Sequence, residues 1–418
     1  YANSDFPIMN NCFYESRTGD FNVGSESGNL ISGSVDFSNP TSDDFTLLPN
    51  SLCINSGNAG GIMAEDLNGE SRVVGGSVDI GAYEFQGFNS WLGTVSSEWS
   101  DGSNWSLGIV PTQSHLAYIS DAPNDPNVNI ASAVCSRLFL DTNAVLNIDN
   151  STNKLVAGNI EMYSGATINI SNGELNCIGK FDHDGELIIS GGTLDIDGEY
   201  ESSASSTEQI SAGTIEVAGE WDGANDDAFT PTGGTVLLNA SSNKNLAQHD
   251  NSNFYNLTIA NSGGDIDANL DIDIDGDLTV NSGADLDIGG GNANIELAGS
   301  FTNSGTFTTS GETMTFDGSG DKTSSAISDA SMDIIVNKSS NGKVTFSGNC
   351  LFDEFTISNG KAAITNNTIT CDNTVSISNG ADLEIGTGTF NADGSFNANS
   401  SGAIYFTGNG KLVLSGLV

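Results

Sequence analysis

Apolar and polar residues alternate along this chain in short runs, and each run ends in glycine with asparagine, serine or a second glycine. Ala166-Thr-Ile-Asn-Ile170 runs into Ser171-Asn172-Gly173, Glu186-Leu-Ile-Ile189 into Ser190-Gly191-Gly192, and Thr193-Leu-Asp-Ile-Asp197 into Gly198. Strict alternation places successive side chains on opposite faces of a strand, so one face is buried and the other wet. No sustained run carries apolar residues at i, i+3, i+4 and i+7, so helices are not expected. The elements predicted are many short strands separated by tight turns. Asn172-Gly173, Asn359-Gly360 and Asn379-Gly380 are turn signals, because asparagine tolerates the left-handed conformation and its amide can pair with a neighbouring turn.

The strands recur at a fixed interval. Gly165 and Gly185 open similar runs 20 residues apart, Gly192 and Gly213 are 21 apart, and Asp265 and Asp285 are again 20 apart. A period near 20 built from short strands and Gly/Asn turns is the mark of a β-solenoid, in which each coil stacks on the last. A longer repeat overlies it. Leu278-Thr-Val-Asn-Ser-Gly-Ala-Asp-Leu-Asp-Ile288 matches Val375-Ser-Ile-Ser-Asn-Gly-Ala-Asp-Leu-Glu-Ile385, and Gly234, Gly311 and Gly410 open three similar strands. The fold expected is all-β, a right-handed parallel β-helix with coils of about 20 residues in two consecutive segments. Residues 1–88 read as the end of one β-helix, with strand-like stretches within residues 1–40. Residues 89–127 read as a linker and Trp-rich entry, and residues 128–418 as the solenoid proper. Its superrepeats lie near 234–310 and 311–409, with 410–418 truncated. About 290 residues make roughly 14 coils, a rod of about 65–70 Å at the ~4.8 Å spacing of paired strands.

Composition sharpens this picture. With 54 Asp plus Glu against 11 Lys plus Arg, the net charge is −43. Such a surface repels phosphate backbones and anionic membranes, so nucleic-acid binding is not expected. No stretch approaches the ~20 apolar residues of a membrane span, so no membrane insertion is expected. Six cysteines (Cys12, Cys53, Cys135, Cys177, Cys350 and Cys371) form no C-x-x-C pair, which removes zinc ribbons and redox motifs. Cys350 and Cys371 stand one coil apart, a spacing that suits a disulfide; the alternative is that they are small buried hydrophobes. The chain starts at Tyr1 without a leader and stops just after a strand, and it reads as a fragment of something longer.

Candidate chemistry is sparse. In Asp265-Ile-Asp-Ala-Asn-Leu-Asp-Ile-Asp-Ile-Asp-Gly-Asp277, apolar residues alternate with carboxylates, which point outward along one strand face. At a 20-residue period Asp265 and Asp267 should neighbour Asp285 and Asp287, where like charges across a ladder destabilise it. Salt screens them or Ca²⁺ bridges them, since Ca²⁺ takes oxygen-only ligands in flexible geometry. No other cofactor is expected. Trp91, Trp99 and Trp105 open the solenoid and suit a cap over its apolar end, with glycan stacking on Trp99 and Trp105 as the alternative. His183, set between Asp182 and Asp184, reads as a solvated turn. The three histidines, His115, His183 and His249, are too few and too dispersed for a zinc site or a triad, and no catalytic residue is assigned. A polysaccharide lyase needs a basic group, for which Arg137 or Lys180 would be the first place to look.

Two stretches resemble known families. Asp44-Phe-Thr-Leu-Leu-Pro-Asn-Ser-Leu-Cys-Ile-Asn-Ser-Gly-Asn58, Asp66-Leu-Asn-Gly-Glu-Ser-Arg72 and Val78-Asp-Ile-Gly-Ala-Tyr-Glu84 together resemble the C-terminal end of choice-of-anchor Q parallel β-helices, found in secreted and surface proteins of Bacteroidetes-type bacteria. The sequence departs from that pattern at Ser71-Arg72, where Pro-Arg is usual, and within it a turn tying Asp66 to Arg72 is expected. Trp91-Leu-Gly-Thr-Val-Ser-Ser-Glu-Trp99, Asn104-Trp105 and Gly108-Ile-Val-Pro111 are similar to the opening of β-solenoid modules in very large, type IX-exported surface adhesins. What these resemblances imply is an extracellular or cell-surface location and a structural, adhesive role as a rigid acidic rod. The implied partners are polysaccharide, surface or other-cell ligands, neighbouring domains of the same chain and the secretion machinery. A carbohydrate-binding module or a polysaccharide lyase or hydrolase on the same fold is the alternative.

Overall fold

The computed structural model describes residues 37–39, 44–47, 51, 53–57, 64–74, 77–226 and 229–416. Cys12, the stretches within residues 1–36 and the last two residues lie outside them. The described chain is all-β, a parallel β-solenoid of about 14 turns with essentially no helix. Each coil turns through three short strands. Thr193–Ile196 lies on a first face, Tyr200–Ser202 on a second and Thr207–Ile210 on a third, before Thr214–Val217 returns to the first. Thr193 opposes Thr214, Thr214 opposes Thr235 and Thr235 opposes Asn256, so the step from coil to coil is constant along this stretch. The strands Ala133–Leu140, Val145–Met162 and Thr167–Cys177 run round the corners, so one 25-stranded sheet takes in strands of all three faces, including Glu186–Ile189 and Thr207–Ile210 of the third. The second face lapses after Thr306–Thr308 and resumes in a separate four-stranded sheet that starts at Cys350–Phe352.

Alternation does the packing. One inward row on the first face runs Leu175, Leu194, Ile215, Val236, Leu257, Leu278 and Phe301, each in register with the next. All seven are buried, and the apolar core they join is continuous from Trp91 to Ala392. Truncating one such leucine to alanine costs about 2–5 kcal/mol in a packed interior. The coils approach closely at one corner, where a side chain on Gly198 would meet the Gly179 carbonyl at 2.3 Å and one on Gly219 would meet the Gly198 carbonyl at 1.9 Å. Glycine is required there by contact with the coil beneath.

Parallel stacking starts earlier than residue 128. Phe88–Ser90 already pairs with Leu116–Ile119, which pairs with Ala133–Leu140, so the Trp-rich entry is built into the first coils. The long excursion between the first two of these strands conceals the repeat in the sequence. Upstream, residues 64–74 and 77–86 fold around three buried carboxylates. Asp66 accepts from the amides of Asn68, Glu70 and Glu84, Asp79 from those of Asn55 and Phe85, and Glu84 from those of Val74 and Asp79. The Arg72 guanidinium reaches the Gly81 carbonyl and lies 3.9 Å from Glu84, rather than tying to Asp66.

The disulfide expected between Cys350 and Cys371 does not form. Cys350 opposes Ile369 and Cys371 opposes Phe352, so the two thiols are offset by two positions along the strands, and both are free. The coil step here is shorter than the cysteine spacing, because the strand partner of Cys350 arrives at Ile369, before Cys371 is reached. Burial pushes the Cys350 thiol up to about 11 and the Cys371 thiol to about 12, which makes both unreactive. Cys53, by contrast, is disulfide-bonded. Alkylation of the denatured, unreduced chain is therefore expected to label Cys135, Cys177, Cys350 and Cys371 but not Cys53, as read by peptide mass; protection of Cys350 and Cys371 would refute the register.

Candidate functional site

The acidic run from Asp265 to Asp277 is divided between two faces, because the chain turns at Asn269-Leu270. Ile266–Ala268 belongs to the second face and Ile272–Ile274 to the third. On the second face Asp267 opposes Asp287, and single carboxylate oxygens of Asp265, Asp267 and Asp287 lie within 4.8 Å of one another. Asp285 stands beside them, one strand position from Leu286, which opposes Ile266. Partial burial and then the charges of Asp265, Asp287 and Asp285 raise the Asp267 carboxyl, and burial with Asp265 raises that of Asp285. Ca²⁺ takes about 6–8 oxygens. Three convergent carboxylates supply its chemistry but not a full coordination shell. The patch is two coils tall, ending at Asn245 on one side and at Thr306 and Thr308 on the other.

The second half of the run lines a groove on the rod. It has a volume of about 410 Å³ and is bordered by Asp250, Asp271, Asp273, Asn294, Glu296 and Thr313. Asp273 and Glu296 are direct cross-strand partners. Burial, followed by the charges of Asp275, Glu296 and Asp317, pushes the Asp273 carboxyl up to about 6. A carboxyl raised to about 6 next to a second carboxylate is the kind of pair used in acid–base chemistry on sugars. Alternation alone, which makes the run a single strand, hides this pair; the Asn-Leu interruption at 269–270 is the signal that reveals it.

The other candidate side chains are engaged structurally. Arg137 is buried, pairs with Glu161 and lies 5.1 Å from the Phe139 ring centroid. Lys180 pairs with Glu201 and lies 3.9 Å from Asp182. Both cations are neutralised, so neither is placed as a base. Trp91, Trp99 and Trp105 are 2%, 0% and 1% exposed and pack edge to face, at 5.0 Å between Trp91 and Trp105 and 4.7 Å between Trp99 and Trp105. Trp99 and Trp105 present no face for a sugar, because all three rings fill the end of the core. Trp105 Nε1 donates to the Trp99 carbonyl and Trp91 Nε1 to that of Asn124.

Two buried polar groups are not legible as such in the sequence. His183 is on a strand, not in a turn: in Phe181-Asp182-His183 it shares the inward face with Phe181, and it is fully buried. Its Nε2 lies 2.8 Å from Glu208 Oε1, and neither side chain is exposed. Lys338 is also fully buried, with Nζ donating to the carbonyls of Ala298, at 2.9 Å, and Asp317. Burial lowers the Lys338 ammonium from its ordinary value. It staples three successive coils.

Residues 90–209 match the model of a family described as a domain of unknown function (DUF8693). No curated protein and no solved structure matches the chain. The matched residues hold the Trp cluster and the His183–Glu208 pair, whereas the carboxylate patch and the Asp273 groove lie beyond them.

Both acidic features give signed expectations. A carboxyl whose folded pKa is raised favours folding at low pH, and that contribution is lost as pH rises through the folded value. Asp273→Asn is therefore expected to raise Tm by about 2 °C at pH 7.5 and to leave it unchanged at pH 4, measured by calorimetry. Asp267→Asn should raise Tm by about 1 °C in low salt, an effect that shrinks in about 0.5 M salt as charges are screened. A fall in Tm for Asp267→Asn when Ca²⁺ is present would show a bridging cation instead.

Proposed function

We propose that this chain is a structural, adhesive segment of an extracellular or cell-surface protein, a stiff acidic rod that holds attachment surfaces away from the cell. The observation that carries the reading is the single continuous core from Trp91 to Ala392, sheathed by outward carboxylates. Each coil contributes one strand spacing of ~4.8 Å and hydrogen-bonds to the next, so the structure lengthens without a new core. The disulfide at Cys53 fits an oxidising compartment. The partners this surface suits are polysaccharide, another cell or an inert substrate, together with neighbouring domains of the same chain and the export machinery that the resemblance to type IX-exported adhesins implies. A charge of −43 disfavours nucleic acid, and among the described residues no helix is long and apolar enough to cross a membrane.

The Asp273–Glu296 groove favours a second reading, a polysaccharide-cleaving or polysaccharide-binding face. In that case Asp273 would act as the proton donor and Glu296 as its partner.

Beads coated with the chain are expected to attach to polysaccharide or cell surfaces and to be displaced by free chain, while the polymer keeps its length on size-exclusion chromatography. Shortening of the polymer that disappears in Asp273→Asn would overturn the adhesive reading in favour of the second. Trp105→Ala should lower Tm by several degrees, consistent with the ~3–5 kcal/mol cost of truncating a buried aromatic; loss of attachment at unchanged Tm would assign that residue to ligand binding.

A further inference from the structure

The turns between strands carry a chemistry that the packing does not use. Six Asn-Gly pairs stand in the described chain, beginning at Asn68, Asn172, Asn341, Asn359, Asn379 and Asn409. In this dipeptide the glycine nitrogen can attack the side-chain carbon of the asparagine before it, because glycine puts no Cβ in the way. The attack needs that nitrogen beside Cγ and its N–H released. A nitrogen whose N–H is held by a backbone carbonyl meets neither need until the turn opens.

The structure divides the six. Gly69 donates its N–H to the Asp66 carbonyl at 3.1 Å, Gly342 to that of Ser339 at 3.0 Å, Gly380 to that of Ser401 at 3.3 Å and Gly410 to that of Gly386 at 2.8 Å. At the other two pairs the asparagine side chain folds back onto its own following amide. Gly173 N–H donates to Asn172 Oδ1 at 3.1 Å, and Gly360 N–H to Asn359 Oδ1 at 3.0 Å. Because Oδ1 is bonded to Cγ, this contact keeps Cγ beside the same nitrogen. Both asparagines are exposed, so water reaches them. Gly173 also lies where its strand shifts register against the coil before, between Asn172 opposite Asp149 and Glu174 opposite Lys154.

We propose that Asn172 and Asn359 are sites of spontaneous deamidation in the folded rod, while the other four Asn-Gly pairs are protected. Solvent hydroxide takes the glycine N–H proton, and the nitrogen forms a bond to the asparagine Cγ. The Cγ–Nδ2 bond breaks, and the side-chain nitrogen leaves as ammonia after taking up a proton from water. Water then opens the five-membered imide. Cleavage of the new N–Cγ bond leaves aspartate, and cleavage of the original peptide bond leaves isoaspartate, with Cβ now in the main chain. The two sites differ in consequence. A carboxylate at position 172 faces Asp149 across the ladder, where like charges destabilise it, whereas position 359 faces Asn337. A longer main chain fits neither corner, since a Cβ on Gly173 would already meet the Asn150 carbonyl at 2.5 Å and one on Gly360 the Gly342 carbonyl at 2.5 Å. Chemical ageing of the rod therefore starts at these two corners, with the greater loss of stability at Asn172.

Peptide mass mapping of the intact chain, held folded at pH 8 and 37 °C and compared with the same chain unfolded in guanidinium chloride, tests this. In the folded chain the peptides holding Asn172 and Asn359 are expected to exchange an amide NH2 for OH about tenfold faster than those holding Asn68, Asn341, Asn379 and Asn409, whose glycine amides must first be freed by local opening. In the unfolded chain all six should convert at similar rates. Equal rates at the six sites of the folded chain, or faster conversion at any of the four, would overturn the proposal. So would a folded chain in which Asn172 and Asn359 persist while the unfolded control converts. The double substitution Asn172→Gln with Asn359→Gln, whose longer side chains close the ring less readily, should remove the early release of ammonia. Should that variant fail to fold, the site-by-site rates of the unaltered chain decide alone.

Discussion

Everything in this molecule depends on parallel register between coils. A strand that opposes its copy on the next coil places each inward side chain over another, so the interior becomes a set of rows, each chosen one residue per coil. A row cannot change size abruptly without leaving a void or a clash, which is why leucine, isoleucine and valine succeed one another from Leu175 to Leu278. The same constraint acts on the turns. Gly179, Gly198 and Gly219 follow one another because each lies against the backbone of the coil before. Stacked parallel strands satisfy one another's hydrogen bonds from coil to coil, which leaves open edges only where the stack stops.

Two buried cations are met by other groups across coils. Lys338 is tolerated because carbonyls from the two preceding coils receive its ammonium, at Ala298 and Asp317. Arg137, buried on the outward side of its strand, pairs with Glu161 one coil on. These contacts reach across one or two coils and replace apolar contacts with charge-assisted ones that only one register satisfies. Removing a single partner strands a buried charge, so such groups specify register more than they add stability. His183 follows the same logic, with Glu208 of the next coil 2.8 Å from its Nε2.

Much of the fold is legible in the sequence because its signals are local and periodic. Alternation marks the strands at Glu186–Ile189 and Thr193–Ile196, and the regular spacing of glycines and aspartates marks the stacking, including Asp267 opposite Asp287. What misleads is a small change of phase. Cys350 meets its strand partner at Ile369, two positions short of Cys371, and that shortened step moves the second thiol out of reach. A brief turn at Asn269-Leu270 sends the second half of one acidic run to another face and makes the Asp273–Glu296 groove. His183 reads as a turn because two flanking aspartates outweigh the alternation with Phe181 that sends it inward. The entry segment hides its own repeat because its coils carry a long excursion between Phe88–Ser90 and Leu116–Ile119.

Charge on such a rod has a direction, and this explains how so acidic a chain can be stacked at all. Cross-strand carboxylates on adjacent coils repel, yet they sit on the wet face, where water and salt screen them and where they block edge-to-edge association of a long β structure. Their protonation adds to stability as pH falls. Inside the strand, by contrast, Glu208 meets His183 at 2.8 Å with neither side chain exposed. The two populations are separated by a single step of the alternation, from Asp182 to His183. The coils whose outward carboxyls are raised, those of Asp267, Asp273 and Asp285, therefore gain stability in acid. Net charge alone misses this, because what each residue meets is set by which side of the strand it occupies.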